Sequence, residues 1–183
     1  MADFIGRERE LAALAEAHNS RQSAFVPVYG RRRVGKSELI LHFLAHKRGV
    51  YYLGKRCPAA EQIREFLRVA SLALEEPLLA CLPPNSWKAA LEAVSDRWKG
   101  PAKLVLALDE FQWIVAASPE LPSVLQELWD RRWKDRNHVL LVLCGSFVGF
   151  MEREILGRRS PLFDRRTAQI HLYRMGRGQT HGG

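Results

Sequence analysis

The feature that most constrains the fold is a loop with the pattern G-x-x-x-x-G-K-S, the Walker A motif. Its residues are Gly30, Arg31, Arg32, Arg33, Val34, Gly35, Lys36 and Ser37. The motif follows a compact apolar run, Ala24–Tyr29, and precedes Ser37–Lys47, where apolar residues recur at helical spacing. The alternative interpretation is a glycine-rich turn before an ordinary helix. The order strand, loop and helix favours a phosphate-binding loop instead.

Each residue type in this loop has a physical reason to be there. Gly30 permits the turn out of the strand, and Gly35 lets the backbone approach phosphate oxygens closely. We expect Lys36 to reach the β and γ phosphates, and Ser37 to offer its hydroxyl to Mg²⁺ at the start of the helix. The three arginines in the loop could add positive potential at the phosphates, project towards a partner or be exposed loop charges. We assign none of them a specific role.

A pair of acids follows the apolar run Leu104–Leu108, in the pattern called Walker B. A buried strand of this kind delivers Asp109 and Glu110 to the carboxyl edge of the sheet, where open α/β sheets bind ligands. We expect Asp109 to hold Mg²⁺ together with Ser37, and Glu110 to position or polarise a water molecule that attacks the γ phosphate.

Apolar runs and amphipathic segments alternate along the whole chain. Strands are predicted at Ala24–Tyr29, Gly49–Leu53, Leu104–Leu108, Val139–Cys144 and Ala168–Leu172. Helices are predicted within Phe4–Ala17, and at Ser37–Lys47, Ala59–Leu74, Ser86–Lys99, Leu121–Trp133 and Phe147–Ile155. This alternation predicts an α/β domain around a largely parallel sheet. Pro27 cannot donate to a strand ladder, so we expect irregular or one-sided pairing there.

Length and composition indicate one globular domain of 183 residues, 47% hydrophobic and 26% charged. We assign residues 1–173 to a nucleotide-binding domain and 174–183 to a disordered or truncated tail. The apolar runs are too short to cross a bilayer, and no export signal is visible. Three cysteines without a C-x-x-C pair favour a reduced, cytoplasmic setting.

The formal net charge of +8 suggests anionic partners or a solvated basic surface. Nucleotide phosphates would explain part of the charge, and nucleic acid is possible, with Arg131–Lys134 as one basic segment. No recognition helix, zinc site or aromatic-rich platform for single strands is evident in the sequence.

Two later segments carry further candidates. Ser146 follows the apolar run Val139–Cys144, and it could contact the attacking water or γ phosphate, or cap the next helix. Arg158, Arg159, Arg165 and Arg166 surround the segment Ser160–Asp164. Arginine suits bidentate contact with phosphate, and one supplied late in the chain could complete a neighbouring subunit's site. A solvated basic loop is the alternative for these arginines.

Taken together, these segments resemble the archaeal-type ATPases of the AAA+ and STAND group of P-loop NTPases. The resemblance covers residues 3–173. The segments that carry it are Phe4–Glu8, Val28–Ser37, Leu108–Gln112, Leu143–Ser146 with Met151-Glu152, and Ser160–Phe163 with Arg165–Thr167.

The resemblance implies an ASCE-type three-layer α/β/α sandwich with a mostly parallel five-stranded sheet. It also implies that Phe4 to Arg7, including Ile5 and Gly6, packs near the adenine, that Ser146 is a sensor, and that Arg165 or Arg166 senses nucleotide. Asp164 departs from the family's glycine before the arginine pair. The family continues beyond this chain's end into a helical lid, so we expect the lid's second sensor to be absent.

The sequence therefore predicts an ATP-binding P-loop domain that hydrolyses ATP with Mg²⁺ as a switch or motor element. Guanine is not expected, because no N-K-x-D motif occurs. The alternatives are a nucleotide-binding regulatory or interaction module with little turnover, and a DNA-associated ATPase. The candidate catalytic residues are Lys36, Glu110, Ser146, Arg165 and Arg166. The candidate nucleotide-binding residues are the eight loop residues with Glu38, Ile5, Gly6 and Arg7, and the candidate metal ligands are Ser37 and Asp109.

Overall fold

The structure is a computed structural model that describes residues 6–175. It contains a sheet of five strands, each joined to its neighbours in parallel, in the order β2-β3-β4-β1-β5. The strands are β1 Ala24–Tyr29, β2 Gly49–Leu53, β3 Leu104–Asp109, β4 Val139–Gly145 and β5 Ile170–His171. The predicted α/β class and five-stranded sheet are confirmed, and every pairing in the sheet is parallel.

Helices connect the strands and cover both faces of the sheet. They are α1 Glu8–Asn19, α2 Lys36–Leu44, α3 Ala59–Leu74, α4 Trp87–Arg97, α5 Phe111–Ala117, α6 Leu121–Leu128 and α7 Val148–Met151. A 3₁₀ turn occupies Pro77–Cys81, and single π-helical turns extend α6 and α7 over Trp129–Trp133 and Glu152–Leu156. Ser86 caps α4 as predicted, since its hydroxyl oxygen accepts from the Ala89 N–H at 3.1 Å.

Side chains alternate between the two faces of the sheet and build two apolar cores. Val26 and Val105 pack with α1 and α2 on one face, while Phe25 and Leu106 pack with α3 to α6 on the other. Strands β1, β3 and β4 are buried along their whole length, because both of their faces are covered. The result is the three-layer sandwich that the resemblance implied.

The pairing at Pro27 is one-sided, as expected. The Phe25 N–H donates to the Thr167 hydroxyl oxygen, and the Phe25 carbonyl accepts from the Thr167 N–H. The Tyr29 carbonyl accepts from the Leu172 N–H. Because alternate residues of a strand point their backbone groups the same way, the nitrogen of Pro27 also faces the β5 side. Strand β5 pairs only with the last two residues of β1, so the missing N–H removes no hydrogen bond between β1 and β4.

The sequence did not predict α5. Its residues are nearly all apolar, so the segment shows no alternation of an apolar face and a polar face, the pattern by which a helix is recognised in a sequence. Glu110 adopts a left-handed conformation with φ +48°, which turns the chain from β3 into α5 within one residue.

Several predictions concern residues at the two ends of the chain. Phe4 and Ile5 lie outside the described residues, as does most of the segment 174–183. Over residues 6–175, none of the helices combines the length and apolar character needed to traverse a bilayer.

Candidate functional site

The candidate residues meet at the carboxyl edge of the sheet. The Walker A loop leaves β1, Asp109 ends β3, and Ser146 follows β4. Strand β4 lies between β3 and β1, so the loop, the acids and the serine come from three adjacent strands. This edge is where parallel α/β sheets place their ligands.

The loop requires its glycines for different reasons. A Cβ on Gly30 would collide with the carbonyl oxygen of Leu172, which follows β5. Gly35 has φ +94°, in the left-handed region that glycine enters without strain. Arg33 also has a positive φ, +65°. The chain therefore turns tightly into α2, whose first N–H groups have no hydrogen-bond partner within the helix.

Lys36 is buried at the first position of α2. Its Nζ donates to the carbonyl oxygen of Arg31 at 2.6 Å, across the loop. Burial lowers the pKa of Lys36, and the nearby carboxylates of Glu110 and Asp109 oppose this shift. The ammonium group thus lies inside the loop, and no carboxylate of residues 6–175 forms an ion pair with it.

Asp109 is fully buried, and its carboxylate accepts hydrogen bonds from the Ser37 and Tyr51 hydroxyls and from a backbone N–H. Its Oδ2 accepts from the Ser37 hydroxyl at 2.5 Å and from the Tyr51 hydroxyl, and its Oδ1 accepts from the Glu110 N–H at 2.7 Å. Burial and the Asp109 carboxylate raise the pKa of Tyr51, so its hydroxyl keeps its proton and remains a donor. Tyr51, on β2, was not among the predicted site residues.

The pair formed by Ser37 and Asp109 fits Mg²⁺. No group of three or more His, Cys, Asp or Glu side chains that could hold a metal occurs in residues 6–175. A protein hydroxyl and one carboxylate, completed by phosphate oxygens and water, are nevertheless the usual ligands of Mg²⁺ in phosphoryl-transfer sites.

Glu110 belongs to a second hydrogen-bonded group. Its Oε2 accepts from the Ser146 hydroxyl at 3.1 Å and from the side-chain amide of Gln112. The same amide nitrogen donates to Ser146 Oγ at 3.1 Å. Helix α7 begins without a side-chain capping bond, so Ser146 does not cap it.

Gln112 is a site neighbour that the sequence reasoning did not single out. Its side chain is buried, and its Oε1 is one of the few buried polar atoms without a hydrogen-bond partner within the described chain. The only signal in the sequence was its position two residues after Glu110.

Two clefts flank the loop and share Arg32, Arg33 and Val34. The first, of about 450 Å³, is lined by Arg32, Arg33, Val34, Gly35, Lys36, Ser37, Glu38 and Glu110. The second, of about 660 Å³, is lined by the three loop arginines with Val34, Val148, His171, Leu172, Tyr173 and Arg174.

Arg7 connects the loop to the segment after β5. Its guanidinium donates to the carbonyl oxygens of Val34 at 2.9 Å and Tyr173 at 2.8 Å. Both acceptors belong to residues that line the second cleft. Gly6, just before Arg7, has φ +94°, while Ile5 lies outside the described residues.

The late arginines lie apart from this group. Arg165 forms a bidentate ion pair with Asp130 at 2.8 and 2.9 Å, and Arg166 donates to the Leu156 carbonyl at 3.5 Å. Neither arginine lines either cleft. Asp164 has φ +64°, which explains why a glycine would suit this position.

Comparisons with known proteins agree with this geometry. A family model described as an ATPase domain predominantly from Archaea matches residues 4–180. The uncharacterized protein MJECL04 of Methanocaldococcus jannaschii is 30% identical over 169 residues, which are 92% of this chain and 35% of that protein. The uncharacterized ATP-binding protein MJ0423 of the same organism is 42% identical over 45 residues, 25% of this chain and 76% of that protein.

Solved structures show the same fold. The Walker-type ATPase PABY2304 of Pyrococcus abyssi superposes with a TM-score of 0.69 at 22% identity, over 93% of this chain and 54% of that chain. The ORC2 protein of Aeropyrum pernix, solved in ADPNP-ADP complexes, gives 0.67 at 17% identity, over 93% and 48%. The chain thus spans about half the length of these structures and about a third of MJECL04.

Proposed function

This chain belongs to the family of ATPase domains found predominantly in Archaea, and from that premise we propose that it binds ATP with Mg²⁺ and hydrolyses it as a switch or motor element. The observation that carries the proposal is the 2.5 Å hydrogen bond between Ser37 and Asp109. It joins the loop that would hold the phosphates to the carboxylate that would hold the metal.

We assign the binding roles as follows. The N–H groups of the loop and the N-terminus of α2 face the phosphates, and Lys36 supplies a positive charge between the β and γ phosphates. Ser37 and Asp109 would hold the metal. Bound Mg²⁺ would neutralise charge on the β and γ phosphate oxygens. The nucleoside occupies the second cleft, where Val34, Leu172 and neighbouring rings suit a flat base.

Hydrolysis requires an oriented water molecule. Glu110 is the residue placed to accept its proton, because the carboxylate lines the phosphate cleft. Ser146 and Gln112 fix the direction of that carboxylate through their hydrogen bonds to Oε2. They act through Glu110 and are therefore positioning residues.

Binding and turnover are tested separately. Calorimetric titration with ATP and Mg²⁺ should give saturable binding that Lys36→Ala weakens at least about 10-fold, since a charge-assisted contact to phosphate is lost. Phosphate release should fall about 100-fold or more in Glu110→Gln, whose affinity for ATP should stay close to wild type. Failure of the wild type to bind ATP would refute the proposal as a whole.

A second candidate function is a nucleotide-binding regulatory module with little turnover. Its support is that Glu110 already accepts two side-chain hydrogen bonds, while Arg165 is committed to Asp130. The same assay separates the two functions. Intact ATP binding with a wild-type rate no faster than that of Glu110→Gln would establish the regulatory module and exclude the ATPase.

A further inference from the structure

Four planar side chains form a continuous series beside the phosphate cleft. The Arg32 guanidinium lies 5.7 Å from the centre of the Phe147 ring, and the Phe147 ring is 5.2 Å from that of Trp113, edge to face. The Arg56 guanidinium lies 3.9 Å from the centre of the Trp113 ring. We call Arg32, Phe147, Trp113 and Arg56 the cation–aromatic row.

Three members of the row are exposed, Trp113 is half-buried, and the charges of the two arginines are not neutralised by an ion pair within the described chain. Arg32 and Arg56 are exposed, and within residues 6–175 neither makes an ion pair or a hydrogen bond to another side chain. Phe147 is 40% exposed, so part of its ring is accessible to a ligand. A cleft of about 530 Å³ borders three members of the row and is lined by Arg32, Leu53, Gly54, Lys55, Arg56, Glu110 and Trp113.

These groups attract a ligand that is both planar and anionic. Exposed aromatic rings stack on any nucleobase, and arginine combines stacking with attraction to phosphate. The chain carries a net charge of +8, and Arg31 and Arg33 add exposed positive charge next to Arg32. We propose that the cation–aromatic row is a binding surface for single-stranded nucleic acid.

The geometry favours a single strand over the other anionic partners. A duplex keeps its bases stacked inside, so it would offer its phosphates to the arginines and leave Phe147 and Trp113 without a partner. An acidic peptide would likewise satisfy the two arginines and make no use of the rings. Of these three partners, the unpaired strand is the one that presents accessible bases and phosphates together.

The sequence could not indicate this surface, because the row is assembled from four separate segments. Arg32 comes from the loop after β1, Arg56 from the loop after β2, Trp113 from α5 and Phe147 from the turn after β4. No two of them are closer than 24 residues in the sequence. The carboxyl edge of the sheet brings them together beside Glu110.

The test is fluorescence anisotropy of the full chain with a labelled oligothymidylate of about 15 nucleotides, long enough for one site of this kind, at about 50 mM salt. No ATP is present, so the result is independent of nucleotide binding and hydrolysis. Trp113→Ala should weaken binding about 5-fold or more, the loss expected for one stacked base. Arg56→Gln should weaken it about 5-fold, and this exposed position keeps the test valid if Trp113→Ala does not fold.

Arg21→Gln is the matched control. Arg21 is equally exposed and makes no ion pair in the described chain, but it precedes β1, at the opposite edge of the sheet. This variant should change the affinity less than about two-fold, because it lies beyond the reach of screened charges. Equal weakening by Arg56→Gln and Arg21→Gln would show that only the net charge matters, and would overturn the proposal.

Two competitors identify the ligand. An abasic oligomer with the same phosphates should bind more weakly than oligothymidylate, and equal affinity would overturn the role of the rings. Polyglutamate of matched charge should be a poor competitor. If it displaces the oligonucleotide at the same concentration as an unlabelled strand, the row is a site for acidic peptides and the proposal is wrong.

Discussion

The hydroxyl of Tyr51 offers a sharp test of how the Asp109 carboxylate is held. Tyr51→Phe removes only the oxygen that donates to Asp109 Oδ2, and it keeps the ring in place. A hydrogen bond to a charged group contributes about 1.5–3 kcal/mol. Because Asp109 retains its donors from Ser37 and the Glu110 N–H, we expect a loss of about 2 kcal/mol in the free energy of unfolding.

The next residue provides a control with the same chemical change. The Tyr52 hydroxyl donates to Gln62 Oε1 at 3.1 Å, a neutral acceptor that also accepts from the Lys55 N–H. Tyr52→Phe should cost about 1 kcal/mol, since hydrogen bonds to charged groups are about twice as strong as neutral ones.

Equilibrium unfolding in urea at neutral pH measures both variants. A double-mutant cycle of Tyr51→Phe with Asp109→Asn should give a coupling energy of about 1 kcal/mol. If Tyr51→Phe costs no more than Tyr52→Phe, or the coupling energy is near zero, the carboxylate does not depend on Tyr51 and the reasoning fails.

Three further predictions concern the stability of the domain. Gly30→Ala should lower the free energy of unfolding by about 2 kcal/mol or more, because its Cβ meets the Leu172 carbonyl; an unchanged urea midpoint would contradict this. Asp130→Asn should cost about 1 kcal/mol at neutral pH. Arg165 lowers the pKa of Asp130, so the cost should vanish as the pH falls through that lowered pKa, and a cost that persists in acid would exclude the ion pair as its cause. Ser86→Ala should cost about 1 kcal/mol through loss of the α4 cap and should leave ATP affinity unchanged, whereas Ser86→Asp should restore the stability.

Elements with a strong local pattern were predicted closely from the sequence. The bounds of β2 and α3 agree to the residue, because flanking turn residues limit the strand and an amphipathic face defines the helix. The segment Leu121–Trp133 is helical to its predicted end, but the sequence did not predict that its last five residues form a π-helical turn in which Trp129 and Trp133 are buried. The π-helical turn follows from the tertiary packing of these two large rings, and the spacing of apolar residues in the sequence does not indicate it.

In the candidate site, too, some features could be predicted from local sequence patterns and others could not. The Walker A loop and Asp109-Glu110 could be found because each motif lies next to a buried strand. The hydrogen bonds around Glu110 could not be predicted, since they require Gln112 of α5 and Ser146 after β4 to lie next to each other in the fold. The partner of Arg165 is Asp130, 35 residues earlier, and nothing in the local sequence relates the two.

The clefts around the loop are linked through two side chains. Arg32 lines the first cleft, the second cleft and the cleft beside the cation–aromatic row, and Glu110 lines the first and the last of these. If the Arg32 guanidinium contacts bound phosphate, it has positions to occupy other than the one near Phe147, and filling one cleft would then change the free energy of filling the other. Linkage then requires that the factor by which ATP alters oligonucleotide affinity equals the factor by which the oligonucleotide alters ATP affinity. Arg32 is thus the residue through which a ligand on the row would communicate with the proposed site of hydrolysis.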